Sequence, residues 1–320
     1  MQTRLIASFA IAAAMALAAA SAGAADQLHI GKASPTSTPM LPADVGQKTG
    51  IFAKHGLDVE IANFSGGAKL HQAMAAGAVD VGVGAGPELA LIAKGSPELA
   101  ICNASAPAPF IGIALPKDSP VKKPDDLKGK KMGVTSVGSL TYWLAREFAR
   151  TRGWGVEGVQ TVAIGGDPAG IIAAFRTQAV DAAIVATPLA FQMEEQGEGR
   201  LFMSAAEYVG NISSGTIFAT KEMMEKRPDV LRRFIAGWLE TVEFMGKNRA
   251  ETIKIAAGMT GFTQTVQARE YDLTEKMFTK DCKFDAESLA NLKRSFADLK
   301  LLETEPDMSK LYTEAFLPKK

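Results

Sequence analysis

The sequence is poor in the residues that build metal and redox sites, and it carries no net charge. It contains two cysteines, Cys102 and Cys282, and three histidines, His29, His55 and His71. They do not have the spacing of a metal-binding motif, so a zinc site is not expected. Lysine plus arginine number 35, as do aspartate plus glutamate. No excess of positive charge is therefore available to attract nucleic acid or an acidic membrane surface.

The first 24 residues are typical of a secretory signal peptide. Arg4 precedes an apolar run from Leu5 to Ala20, and residues 22–24 (AGA) have the small side chains at which a signal peptidase cleaves. The run is too short and too rich in alanine to span a membrane comfortably. We therefore expect residues 1–24 to be removed and the rest to be a soluble exported protein, periplasmic in a Gram-negative source.

The redox state of the two cysteines stays open at this stage. Export to an oxidising compartment permits a Cys102–Cys282 bridge. Cys102, however, lies in the apolar run 99–102, which is typical of a buried strand. The sequence alone favours free thiols.

From Leu28 onward, short apolar runs alternate with helical patterns, which is typical of βαβ units and a mainly parallel sheet. The chain is long enough for two lobes. After residue 220 the periodicity predicts a helical region, with Pro228 breaking or starting a helix. The predicted strands span 28–33, 57–63, 79–84, 98–103, 110–115, 131–135, 159–164, 180–186 and 215–219.

One stretch of the first half is echoed in the second. Residues 73–95 and 174–197 share a helix end, a Val-Asp pair that opens a strand, and a proline that opens the next helix. Two lobes of like construction would produce this echo. Asp80 and Asp181 are therefore interpreted as turn or capping residues of a repeated unit, not as a catalytic pair.

Residues 133–141 predict a strand, a glycine-containing loop and a helix capped by Ser139. A helix start leaves several N–H groups unpaired, and here hydroxyl groups surround them. Such a corner suits a small polar or anionic ligand. An ordinary capped helix is the alternative.

Several motifs, taken in order, resemble one known family. They are residues 49–60 (TGIFAKHGLDVE), 64–69 (FSGGAK), 76–82 (AGAVDVG), 126–139 and 179–182 (AVDA). Their order and spacing are similar to those of the nitrate, sulfonate, taurine and thiamine-precursor branch of ABC-transporter substrate-binding proteins. The resemblance covers nearly all of the chain that follows the signal peptide.

The resemblance implies a type II periplasmic-binding fold, an α/β architecture of two lobes joined by two crossover strands. Lobe 1 would comprise residues 27–112 plus 218–320, and lobe 2 residues 113–217, with crossings near 113–116 and 215–218. The protein would be a monomer that holds a small-molecule ligand between its lobes and has an inner-membrane permease as partner. No cofactor and no catalytic residue is implied.

Ligands of open α/β sheets lie beyond the carboxyl ends of the strands, so those ends define the candidate site. Most are serine, threonine or glycine, and hydroxyl and backbone N–H groups would line the cleft. The candidate ligand-binding residues are Ser34, Thr36, Ser37, Ser65, Gly66, Gly86, Ser105, Ser136, Gly138, Ser139, Tyr142, Gly166, Asp167 and Thr187.

Few charged or aromatic side chains lie near these strand ends. Lys69 is expected to be a solvated first-turn side chain, and neutralisation of an anionic head group is the alternative. Glu88 and Asp167 are expected in the first turns of helices, where the helix dipole favours carboxylates, although either would suit an amine on a zwitterionic ligand. Of Tyr142 and Trp143, one would form an aromatic wall of the cleft and the other would be buried.

The expected function is capture of a small organic anion, such as a taurine-like sulfonate or a carboxylate, and its delivery to a permease. An aromatic or pyrimidine ligand stays open, as does a sensory protein that docks on a receptor. An enzyme is disfavoured, because the chain lacks the histidine and the cysteine-rich iron-binding motif of pyrimidine-synthesising relatives. It also has no Gly-x-Ser-x-Gly elbow.

Overall fold

A computed structural model describes residues 25–137 and 139–319. The predicted signal peptide, residues 1–24, and the candidate ligand-binding residue Gly138 lie outside the described residues. Within the described part, ten strands form two five-stranded sheets with helices around them. None of the helices in that part has the length and apolar character of a membrane span.

The two sheets have the same arrangement. In each, three adjacent strands are parallel, the fourth strand is antiparallel to them, and the fifth strand pairs antiparallel with the fourth. The first has the strand order β2-β1-β3-β10-β4 and the second β7-β6-β8-β5-β9. Strand β10 is antiparallel to β3 and β4, and β5 is antiparallel to β8 and β9. The strands are β1 (Asp26–Lys32), β2 (Leu57–Asn63), β3 (Val81–Gly84), β4 (Glu98–Ser105), β5 (Ile111–Pro116), β6 (Lys131–Val134), β7 (Gln160–Ala163), β8 (Ala182–Ala186), β9 (Gly199–Ser204) and β10 (Gly215–Thr220).

Helices pack on both sheets, and the chain after β10 is mostly helical. The helices are α1 (Leu41–Lys48), α2 (Ile51–Lys54), α3 (Gly67–Ala75), α4 (Leu89–Ala93), α5 (Leu140–Thr151), α6 (Pro168–Arg176), α7 (Thr187–Gln196), α8 (Ala206–Val209), α9 (Lys221–Lys226), α10 (Pro228–Lys247), α11 (Arg249–Thr260), α12 (Gln264–Thr274) and α13 (Ala286–Asp298).

The structure confirms the nine predicted strands, with small shifts at their ends, and the helical region after residue 220. The sequence prediction missed β9. This strand contains Arg200, and three of its six positions are half-buried. Its pattern lacks the buried apolar run that identified the central strands.

The largest cluster of buried apolar side chains runs through both sheets. It includes Ile30 and Val81 in the first sheet and Ile113 and Met132 in the second. A smaller cluster packs α6 and α7 against the other face of the second sheet. Buried apolar side chains of the two sheets therefore belong to one contiguous cluster.

Asp80 and Asp181 have the same role in the two sheets. Asp80 accepts a hydrogen bond from the backbone N–H of His29 at 2.9 Å and donates its own N–H to the His29 carbonyl at 2.9 Å. Asp181 makes the same pair of bonds to Lys131, at 2.9 and 2.8 Å. Each aspartate fixes the start of one strand against its parallel neighbour, so the structural interpretation of the echo is confirmed.

The chain passes from the first sheet to the second between β4 and β5, and it returns between β9 and β10. Strand membership assigns the two sheets but does not fix where one lobe ends and the other begins. The division into residues 27–112 plus 218–320 and residues 113–217 therefore stays a prediction.

Cys102 and Cys282 form a disulfide, so the expectation of free thiols is wrong. Cys102 lies on β4, and Cys282 lies in the segment between α12 and α13. That segment runs beside β4, because the Asn103 N–H donates to the Cys282 carbonyl at 2.9 Å. A separation of 180 residues gives no sequence signal for such a contact.

Replacing both Cys102 and Cys282 with alanine is expected to lower the free energy of unfolding by about 2–4 kcal/mol, because the bridge closes a long loop in the unfolded chain. Urea unfolding of the purified protein measures the change. Dithiothreitol is expected to lower the stability of the wild type to the same extent and to leave the double variant unchanged. Equal unfolding midpoints for the variant and the oxidised wild type would contradict a stabilising bridge.

Candidate functional site

The loops that follow β1, β2 and β3 lie together at the carboxyl edge of the first sheet. The Gly66 N–H donates to the Ala33 carbonyl at 2.8 Å, and the Ala33 N–H donates to the Val83 carbonyl at 3.0 Å. We call residues 33–40, 64–67 and 85–88 the first edge. It carries the candidate residues Ser34, Thr36, Ser37, Ser65 and Gly66, which are half-buried or exposed.

Lys32, at the end of β1, holds the first loop of this edge. Its side chain is 1% exposed, and Nζ donates to Asp44 Oδ2 at 2.5 Å and to the Pro35 carbonyl at 3.1 Å. Burial raises the pKa of Asp44 despite the opposing effect of Lys32. Since this ammonium is buried and already paired, Lys32 positions the loop and is not available to a ligand.

His71 lies beneath the first edge between two carboxylates. Nδ1 is 2.8 Å from Glu98 Oε2, and Nε2 is 3.0 Å from Glu88 Oε2. Burial lowers the pKa of His71, but its bonds to Glu88 and Glu98 outweigh burial and raise the pKa to about 9. The imidazole is therefore protonated at neutral pH.

Across residues 25–137 and 139–319, no group of three His, Cys, Asp or Glu side chains is arranged to hold a metal ion.

Glu88 is engaged on both carboxylate oxygens. Oε2 contacts His71, and Oε1 accepts the Ala85 N–H at 3.0 Å. A Cβ at Gly67 or Gly84 would collide with this carboxylate, which explains why glycine occupies both positions. Lys69 is exposed and donates to Ser65 at 2.9 Å, as a solvated first-turn side chain would.

The loops that follow β6, β7 and β8 lie together at the carboxyl edge of the second sheet. The Gly165 N–H donates to the Thr135 carbonyl at 3.2 Å. We call residues 135–137, 139, 164–167 and 186–187 the second edge. It carries the candidate residues Ser136, Ser139, Gly166, Asp167 and Thr187.

Two of these residues cap helices. The Ser139 hydroxyl accepts the Tyr142 N–H at 3.2 Å, and it also donates to the Ser136 carbonyl at 2.8 Å. Asp167 accepts the Gly170 N–H at 3.0 Å. The predicted capping role of Ser139 is confirmed. Asp167, expected in the first turn, is instead the N-cap of α6, and Ser136 keeps an exposed side chain.

Val137 stands out because it is a large apolar side chain that is 74% exposed. No other large apolar side chain in the described part of the chain is exposed. Val137 lies at the tip of the loop between β6 and α5, next to the hydroxyl groups of the second edge. Sequence reasoning missed it, because a single valine in a loop carries no periodicity.

Three other candidate residues are packed inside the protein. The Ser105 hydroxyl lies 3.0 Å from the Ser214 hydroxyl, between β4 and the start of β10. Gly86 is buried, and a Cβ there would collide with the Ser213 carbonyl and Leu292. Thr187 is fully buried. The ligand-binding role of Ser105, Gly86 and Thr187 stays a prediction, and a ligand would reach these residues only if the contacts described here opened.

The two aromatic residues at the start of α5 differ in burial. Trp143 is buried, and its indole N–H donates to Asp298 on α13 at 3.0 Å. Tyr142 is half-buried, and Arg146 donates to its hydroxyl at 3.1 Å and lies over its ring.

A small cavity lies between the first edge and the start of α5. Its volume is about 20 Å³, and it is lined by Ala85 and Pro87 of the first edge and by Leu140 and Trp143 of α5. Phe110, in the connection from β4 to β5, also lines it.

Two polar residues of this region were absent from the candidate set, Thr38 and Glu270. Glu270 is buried on α12 and accepts hydrogen bonds from Thr38 and Thr187. The sequence held a weak signal, since Val266, Glu270 and Thr274 share one buried face of α12. A carboxylate on such a face needs a partner, but the sequence could not identify it.

Comparison with protein families gives one match that covers most of the chain. The sequence model of the family described as NMT1/THI5 like matches residues 36–252. A Brucella abortus protein named only as a binding protein is 27% identical over 215 residues, which cover 67% of this chain. The taurine-binding periplasmic protein of Escherichia coli is 29% identical over 198 residues, 60% of this chain and 59% of its own length. The matched region spans 65% of the length of the Brucella relative.

Solved structures share the fold over almost the whole chain. The periplasmic aliphatic sulphonate-binding protein of Escherichia coli has a TM-score of 0.76 at 21% identity, over 90% of this chain and 92% of that one. The alkanesulfonate-binding protein of Xanthomonas axonopodis, solved with MOPS, has a TM-score of 0.71 at 18% identity, over 90% and 98%. The desulfurization enzyme DszB has a TM-score of 0.67 at 13% identity, over 91% and 97%. The predicted periplasmic-binding architecture is confirmed, and both binding proteins and an enzyme share it.

The protonated His71 predicts a pH dependence of stability. Its folded pKa, about 9, lies above the ordinary value of 6.5, so its contribution is fully present below pH 6.5 and is lost as the pH rises through 9. His71→Gln removes this titration. We expect the difference in melting temperature between wild type and variant to shrink between pH 6.5 and pH 9.5. His29→Gln, at an exposed histidine, is the matched control; parallel curves for wild type and His71→Gln would show that His71 is not the titrating group.

Proposed function

Because this chain belongs to the NMT1/THI5-like family, we propose that it is the extracytoplasmic solute-binding component of an ABC importer. It captures a small organic anion between its two lobes and delivers it to a permease in the inner membrane. The relatives that bind taurine and sulfonates by name support this assignment. The protein works as a monomer in the periplasm and performs no chemistry on its ligand.

The observation that carries this proposal is the pair of edges rich in hydroxyl and N–H groups, which meet where Thr38 and Thr187 both bond to Glu270. Lys32 and His71, the buried cations beside the first edge, are both paired with carboxylates. An anion would therefore be held by neutral donors. One exposed helix N-terminus contributes about 0.3–1 kcal/mol to anion binding, whereas micromolar affinity requires about 8 kcal/mol. Donors from both edges must act together.

This requirement explains why two lobes are needed. A ligand shifts the protein toward a closed arrangement only if it makes contacts there that the open arrangement lacks. Donors on both edges supply such contacts, and hinge closure about the β4–β5 and β9–β10 connections removes water from them. The permease would then recognise the closed form.

Val137 favours an organic ligand over an inorganic anion such as nitrate. Its exposed side chain lies beside the donors of the second edge, and contact with an apolar part of the ligand would bury it. An alkanesulfonate or an aliphatic carboxylate combines such a part with an anionic head. Phe110, whose carbonyl accepts the Thr187 N–H, and Tyr142, near the second edge, are half-buried aromatic residues, and they support an aromatic or pyrimidine ligand as the second candidate.

The disulfide argues against an enzyme that uses a cysteine nucleophile. Both cysteines of the chain are joined to each other, and neither is free. A disulfide sulfur is neither a thiolate nucleophile nor a thiolate metal ligand. The likeness to DszB therefore supports a shared fold alone.

A thermal-shift screen of residues 26–320 tests the function. The compounds are alkanesulfonates, taurine, aliphatic and aromatic carboxylates, pyrimidines and nitrate. A compound at a hundredfold its dissociation constant adds about 2.7 kcal/mol to the free energy of unfolding. Each kcal/mol raises the melting temperature of a chain of this size by about 2–4 °C at most, so a shift of several degrees is expected. We expect a shift with an alkanesulfonate, taurine or a carboxylate. A shift with pyrimidines alone would select the second candidate, and no shift with any compound would contradict the proposal.

A double variant tests the two-edge arrangement. Ser65→Ala with Ser136→Ala removes one exposed hydroxyl from each edge, and we expect affinity for the best compound of the screen to fall about tenfold, or about 1.4 kcal/mol. Ser139 is left intact because it caps α5. Thr304→Ala, at an exposed threonine in the C-terminal segment, is the control. Calorimetric titration measures affinity, and unchanged affinity in the double variant would remove these hydroxyls from the site.

A further inference from the structure

Glu270 is a buried acid that the proposed function has not used. It lies on α12, and its side chain is almost completely inaccessible to solvent. Its neighbours on the same helix face, Val266 and Thr274, are also buried. Burying a carboxylate is costly unless the charge is paired or hydrogen-bonded, so its partners decide what the residue does.

Those partners come from both sides of the candidate site. Thr38 Oγ1, which follows β1 in the first edge, donates to Glu270 Oε1 at 2.7 Å. Thr187 Oγ1, which follows β8 in the second edge, donates to Glu270 Oε2 at 2.5 Å. Each oxygen of one carboxylate is thus bound by a different lobe. We call Glu270, Thr38 and Thr187 the interlobe clasp.

The charged groups around Glu270 are engaged elsewhere. On α12 itself, Arg269 pairs with Glu194 of α7 at 2.5 Å and lies over the Phe191 ring. Asp272 pairs with Arg249 of α11 at 2.8 Å. The remaining titratable side chains of the elements packed against it are Glu195 on α7, Glu251 and Lys254 on α11, Tyr271 on α12, and Glu275 and Lys276 in the turn after it.

The geometry leaves Glu270 without a cation to neutralise it. Burial raises its pKa to about 7, while the bonds from Thr187 and Thr38 act in the opposite direction. Separation of the two edges would admit water and return the pKa toward its ordinary value of 4.5. The joined arrangement therefore binds a proton more tightly than the separated one, and it loses stability as the pH rises from 4.5 through 7.

We propose that Glu270 is a positioning residue that holds the two lobes together through Thr38 and Thr187 and thereby sets how readily the protein closes. Its effect on ligand affinity rests on the proposed function, because closure matters only if a ligand is held between the lobes. Its effect on lobe separation does not, and it can be measured without ligand.

The experiment measures lobe separation by pulsed electron paramagnetic resonance on the ligand-free protein. Spin labels are attached at Gln72→Cys on α3 and Ala173→Cys on α6, two exposed positions on opposite lobes. The native cysteines do not take up label, because they form the disulfide. Distance distributions are recorded at pH 5.5 and pH 8.5.

In the wild type we expect the ratio of long to short distances to rise on the order of tenfold from pH 5.5 to pH 8.5. Glu270→Gln keeps a side chain that can bond both threonines but does not ionise, so its distribution should not change with pH. Glu270→Leu should favour long distances at both pH values. Glu275→Gln, which removes a nearby carboxylate outside the clasp, is the matched control and should respond to pH as the wild type does.

Thr38→Val with Thr187→Val removes the two hydroxyl groups that donate to Glu270. This variant tests the interlobe clasp even if Glu270→Leu does not fold. We expect this variant to favour long distances at pH 8.5. Short distances in every variant at both pH values, or a pH response that persists in Glu270→Gln, would overturn the proposal. Taurine titrated into the same samples distinguishes the proposed ligand class from the interlobe clasp. Failure of taurine to bind would argue against the ligand class, whereas the distances measured without ligand test the clasp.

Discussion

The pairing of β10 between β3 and β4 is the constraint on which the rest of the structure depends. Strand β10 is antiparallel to both neighbours, so the chain must leave the first sheet after β4, build the second sheet, and return before it adds the C-terminal helices. Both connections therefore lie side by side. The disulfide from β4 to the segment between α12 and α13 then fixes the last helices at this same place. Thr38 of the first edge and Thr187 of the second edge both bond to Glu270 on α12, so the two edges lie close together beside these helices.

Buried polar groups hold the loops of the site without supplying free charge to it. Lys32 pairs with Asp44, and His71 lies between Glu88 and Glu98. Glu270 is held by two hydroxyl groups instead of by a cation. A buried ion pair contributes little net stability but is costly to break on one side, so these groups specify one arrangement of the loops. The surfaces that remain for a ligand are hydroxyl, N–H and the apolar Val137.

Sequence reasoning succeeded where the signal was local. Alternating apolar runs located the central strands, and the echo around Asp80 and Asp181 identified a repeated structural unit. Ser139 was recognisable as a cap because a cap is defined by its own helix. The reasoning failed for β9, whose sequence contains Arg200 and lacks a continuous apolar run, and for the redox state of Cys102 and Cys282, whose contact spans 180 residues.

The sequence by itself therefore determined the α/β architecture, the family, and the two sets of strand ends that carry hydroxyl and glycine residues, because short-range periodicity and turn chemistry encode them. Only the tertiary structure decided which of those residues are available. It placed Ser105 and Gly86 in packed positions, left Ser65 and Ser136 exposed, and joined Thr38 and Thr187 through Glu270. Those outcomes depend on contacts between segments far apart in the chain, and the energy of such contacts comes from burial and hydrogen bonding that no single segment contains.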